Sequence, residues 1–108
     1  MDEETIKKVK NLIYETAEDN NIEIKELIIF GSRARDDYRQ RSDIDLLIVS
    51  SDFEGVAWNK RPRAFYKARD YDELPEPEFI CLTPERYEKQ RNMEAHIVKN
   101  AFEEGIKV

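Results

Sequence analysis

The chain has 108 residues, of which 40% are hydrophobic and 39% charged, with a formal net charge of −6; that suits a single domain, 1–108, with a shallow core under a densely ionic surface. No apolar stretch approaches the roughly 18–20 residues that cross a bilayer, and the start Asp2-Glu3-Glu4 lacks a signal peptide's basic and apolar regions, so a soluble, cytoplasmic protein without membrane contact is expected. Cys81 and His96, each the only one of its kind, exclude an internal disulfide and a four-ligand zinc site, and the acidic balance disfavours direct nucleic-acid binding.

In chain order, Ile6, Val9, Leu12, Ile13 and Ala17 recur at spacings of three and four behind the acids 2–4, which predicts an amphipathic helix over about residues 2–20. Asn20-Asn21 breaks it. Leu27-Ile28-Ile29-Phe30 then reads as a strand buried on both faces and ending at Gly31. An arginine-rich turn or short helix follows, and Ile44 to Val49 is a second strand entered through Ser42-Asp43. Residues 53–71 are read as helical from near Pro62, with Phe65, Tyr66 and Ala68 on an apolar side. Pro75 and Pro77 bracket an extended approach to a third strand, Glu78 to Leu82. Thr83-Pro84-Glu85 opens a last helix, lined by Met93, Ile97, Val98, Ala101 and Phe102 and ended by Gly105. The expected fold is a small α/β (α+β) domain, with a mixed sheet of three strands or slightly more and the helices packed on one face.

Charge is unevenly placed. Arg33, Arg35, Arg39 and Arg41 face only Asp36 and Asp37 between 33 and 41, whereas 70–78 holds five acids and no base. Asp43 and Asp45 flank Ile44 at a strand entrance, so a period of two sets both carboxylates on one face. Two like charges there call for compensation, and a hard divalent cation with oxygen ligands supplies it well. Gly31-Ser32 follows the first strand directly, where glycine allows close approach and the next amides can meet an anion. Cys81, in an apolar strand, reads as a core residue, His96 as structural, and Trp58, Phe65 and Tyr66 as packing aromatics.

Gly31-Ser32, ten residues, then Asp43-Ile44-Asp45 resembles the signature of the minimal nucleotidyltransferases of the DNA polymerase beta-like superfamily. Phe30 to Arg35 is similar to the family's opening, Arg41 to Val49 to its metal strand, and Glu78 to Glu85 to its third-carboxylate strand and following helix. The resemblance implies a nucleotidyltransferase-like fold and a magnesium-dependent enzyme, with two Mg2+ ions held by Asp43, Asp45 and Glu78, the catalytic acids. Nucleotide-binding roles fall on Gly31, Ser32, Arg33, Arg35, Arg41 and Ser42. It further implies transfer of AMP from ATP to an acceptor hydroxyl. In that family small single-domain members pair with HEPN-type helical proteins as toxin and antitoxin, so the expected acceptor is a tyrosine of such a partner. Two positions depart from the pattern: Asp36 stands where many relatives have glycine, and Glu78 is one methylene longer than the usual aspartate, a shift of about 1.5 Å. A noncatalytic nucleotide- or partner-binding module is the alternative they leave open. Glu76 shares the parity of Glu78 and is the substitute third acid; apolar residues at the edges of the fold serve either a homodimer or the core.

Overall fold

The structure is a computed structural model that describes residues 2–31, 44–68, 76–94 and 96–108. Helix α1, Glu3–Asp19, begins where the Asp2 carboxylate accepts a hydrogen bond from the Thr5 amide at 2.7 Å, with Glu3 and Glu4 at the positive end of the helix dipole. Val9, Ile13 and Ala17 of its stripe are buried, as their spacing of four predicts. Asn21, at a left-handed φ of 57°, turns the chain out of the helix.

Four strands follow: β1 Glu26–Phe30, β2 Ile44–Val49, β3 Pro77–Leu82 and β4 Ile106–Lys107. Their order in the sheet is β3-β2-β1-β4, with β2 and β3 parallel and the other two pairs antiparallel. The mixed sheet is therefore as expected, with one strand more than the pattern of long apolar runs reveals. A crossover from β2 to β3 carries two 3-10 turns, Ser51–Phe53 and Trp58–Lys60, and the short helix α2, Arg63–Lys67, entered at Pro62. After β3, Thr83 caps α3, Pro84–Gln90, by accepting from the Arg86 amide at 3.3 Å, and α4 spans Ile97–Glu104.

The helices cover both faces of the sheet, not one. Leu27 and Ile29 of β1 and Ile44, Leu46 and Ile48 of β2 pack with α1, Phe53 and Phe65. Ile28, Phe30, Leu47 and Val49 point the other way and pack with Tyr87 of α3 and Val98 and Ala101 of α4. Two strands that are apolar at successive positions expose two apolar faces, and each needs its own cover.

The last helix is also divided. The chain turns after Arg91, and His96 restarts it by accepting the Val98 amide on Nδ1 at 3.1 Å. His96 is thus a helix cap. Met93 and Ile97, expected on the inner side, are exposed. Among the three aromatics read as packing, Phe65 is fully buried; Tyr66 meets Phe79 edge-on at 4.9 Å yet is 54% exposed, and Trp58 is 57% exposed. Among the described residues no helix is long and apolar enough to cross a membrane.

Candidate functional site

β2 is an inner strand, and its first residues decide what stands at that end of the sheet. Ile44 is buried against the α1 side, and its amide donates to the Glu76 carbonyl at 2.9 Å, so the parallel ladder starts there. Asp45, on the opposite face by alternation, is half-buried. Its register partners are Phe30 on β1 and Glu78 on β3, which places Phe30, Asp45 and Glu78 in one row across three strands. Neighbouring strands lie about 4.8 Å apart, so the two carboxylate side chains spring from adjacent backbone positions on one face. Glu78 is exposed, whereas Ile80 and Leu82 further along pack into the α3–α4 face. Glu76 lies two residues before that row, and the register partner of Asp45 is Glu78.

Gly31 closes the row on the β1 side. It has a positive φ of 78°, and a methyl group built on it would overlap Oδ2 of Asp45. Glycine is required there twice: for the backbone conformation and for the approach of the chain to the Asp45 carboxylate. The turn after β1 and the entrance of β2 therefore meet at one rim, and their meeting point is a carboxylate oxygen against a bare backbone. Two carboxylates in register offer hard oxygen donors of the type that Mg2+ selects, and the donor set fits a divalent cation. Among the described residues no group of three or more His, Cys, Asp and Glu comes together. Ser32, Arg33, Arg35, Arg41, Ser42 and Asp43, together with Asp36, lie outside the described residues.

Cys81 takes no part in this rim. It is buried in the face that packs on α1, and burial pushes its thiol up from 9.0 to about 12, against the opposing pull of the Arg61 charge. A thiol so held is a core group and not a nucleophile. Phe30, immediately before Gly31, is the strand-end partner of Asp45.

The fold defines the chain's class. A solved nucleotidyltransferase candidate from Sulfolobus solfataricus superposes with a TM-score of 0.60 over 80% of this chain and 73% of that one, at 27% identity. The family model described as a nucleotidyltransferase domain matches residues 9–108, and the chain belongs to that family. A protein adenylyltransferase candidate of Methanocaldococcus jannaschii is 59% identical over 34 residues, which are 31% of this chain and 34% of that relative.

Proposed function

We propose that this nucleotidyltransferase domain transfers AMP from ATP to a hydroxyl of a protein acceptor, a tyrosine of a HEPN-type partner, as the antitoxin of a toxin–antitoxin pair. The observation that carries the reading is the row in which Asp45 and Glu78 stand in register beside the Gly31 turn. The Methanocaldococcus relative's name supports adenylylation of protein over the short stretch it shares.

In the reaction, the acceptor oxygen forms a bond to the α-phosphorus while the bond to the β-phosphate bridging oxygen breaks, and pyrophosphate leaves. Asp43, Asp45 and Glu78 would hold Mg2+, which when bound stabilises negative charge on the attacking and leaving oxygens. Glu78, exposed at the strand entrance, would either ligate the ion that activates the acceptor hydroxyl or accept that hydroxyl's proton. Gly31 leaves room for the chain beyond β1 to approach an anion, and Ser32, Ser42 and the guanidinium groups of Arg33, Arg35 and Arg41 donate to the triphosphate oxygens.

The test is to incubate the full chain with ATP, Mg2+ and the product of the neighbouring gene, and to weigh both proteins by mass spectrometry. A gain of one AMP mass on the neighbour, lost in Asp43→Ala and in Asp45→Asn, is expected. No gain with any nucleoside triphosphate or divalent metal, with the two proteins still binding each other, would assign the chain to the noncatalytic alternative.

A further inference from the structure

We propose that the notch around Trp58, Arg61 and Arg86, at the end of β3 remote from Glu78, is a docking site for an acidic segment of a partner protein. The proposal does not depend on the transfer reaction. Thr83, which lines the notch, lies five residues along the chain from Glu78, about 16 Å at the rise of a strand.

Arg61 organises the place. Its Nε donates to the Val56 carbonyl at 2.9 Å and its Nη1 to the Cys81 carbonyl at 3.1 Å. The Leu82 carbonyl accepts from the Ser50 amide on the β2 side, so by alternation the Cys81 carbonyl points away from β2, along the outer edge of the sheet. The guanidinium is thereby pinned on that edge. It has five N–H donors, and three remain beyond these two bonds. Its carbon sits 5.7 Å from the centre of the Trp58 ring, which is 57% exposed. A cavity of about 510 Å³ is lined by Trp58, Arg61, Thr83, Arg86 and Gln90. Arg61 also lines a second cavity of about 470 Å³, where Lys60, Arg63 and Lys67 join it and Asp52 is the one acid of the lining.

The charge of this surface is opposite to that of the chain. Its bases Lys60, Arg61, Arg63 and Lys67 belong to residues 55–69, the longest acid-free run in a chain with 24 acids. Among the described residues, the ion pairs are Glu4–Lys8, Glu88–Arg91 and Glu94–Lys99, and none engages Lys60, Arg61, Arg63, Lys67 or Arg86. A fixed guanidinium grips a carboxylate bidentately, and an exposed tryptophan beside arginines is the composition of an interface hot spot. Polynucleotide fits less well, because Asp52, Glu54, Glu85 and Glu88 flank the basic residues in the chain and would repel a continuous phosphate backbone. A short polypeptide segment with two or three carboxylates can meet Arg61 and Arg86 in the notch, whose lining holds no acid.

Trp58 is the only tryptophan, so its fluorescence reads the site directly. The full chain is titrated with a blocked peptide of glutamate and alanine, with its lysine counterpart, and with oligothymidylate. A saturable change in emission with the acidic peptide alone is expected, weakened at least about tenfold in the Arg63→Glu/Arg86→Glu variant. Both positions are exposed, and circular dichroism checks that the variant is folded. Unchanged emission at millimolar acidic peptide, or equal affinity in the folded variant, overturns the proposal. Tighter binding of oligothymidylate than of the peptide also overturns it and assigns the surface to nucleic acid.

Discussion

Gly31 shows how much chemistry one missing side chain can carry. Its positive φ and its contact with the Asp45 carboxylate mean that Gly31→Ala strains the turn and displaces the carboxylate together. Misplacing a reacting group by about 1 Å can cost on the order of a hundredfold in rate. The expected outcome is therefore a loss of AMP transfer of about a hundredfold in Gly31→Ala, measured with labelled ATP, while the melting temperature falls only slightly because the turn lies at the rim and not in the core. Equal losses of stability and activity would show that the glycine serves folding alone. The motif spacing singles out Gly31 and Asp45 as a pair; it does not reveal that they touch.

At the scale of elements, the instructive cases are the two ends of the C-terminal region. The apolar positions 93, 97, 98, 101 and 102 satisfy a helical period, yet one helix ends at Gln90, the next starts at Ile97, and only Val98 and Ala101 of these are buried. Periodicity states which residues can share a face; it does not state whether one helix or two will carry them. β4 is too short to be seen as a strand in the sequence. It forms because Gly105 lets the chain come against β1: a methyl group there would overlap the Ala101 carbonyl oxygen and Cγ2 of Ile28, and would lie 3.0 Å from the Ile29 carbonyl oxygen. Gly105→Ala is expected to destabilise the protein by about 1–3 kcal/mol through overpacking, read as a lower urea midpoint. Hydrogen exchange at the Val108 amide, which donates to Leu27 at 3.0 Å, should rise in the same variant. Phe65→Ala, which empties a fully buried site beside Phe79, should cost about 3–5 kcal/mol in the same urea measurement.

For the molecule as a whole, burial of weak acids sets a limit at alkaline pH. Burial raises the Cys81 thiol from 9.0 to about 12. The Tyr87 hydroxyl is raised from 10.0 to about 12, first by burial and then by the neighbouring Glu26 carboxylate. Both groups keep their protons in the folded state and release them more readily when unfolded. The stability they contribute is thus fully present below about pH 9 and declines as pH rises toward 12. Urea midpoints should fall between pH 9 and pH 11 more steeply in the parent chain than in the Cys81→Ala/Tyr87→Phe variant. Identical slopes in the two proteins would remove these groups as the cause.

Strand and helix positions along the chain were legible because they depend on neighbours three or four residues away: the stripe of α1, the Thr83-Pro84 start of α3 and the apolar run of β2 each carry their own signal. The acids of the rim were legible too, since a period of two assigns Asp45 and Glu78 to defined strand faces without any partner in view. Strand register, the cover on both faces, the fourth strand and the basic notch around Trp58 belong to contacts between segments far apart in sequence. Such contacts depend on which surfaces the packed elements leave available, and local periodicity does not encode that. The pairing of Asp45 with Glu78, the closeness of Gly31 to that carboxylate and the exposure of the single tryptophan therefore exist only once the sheet has closed.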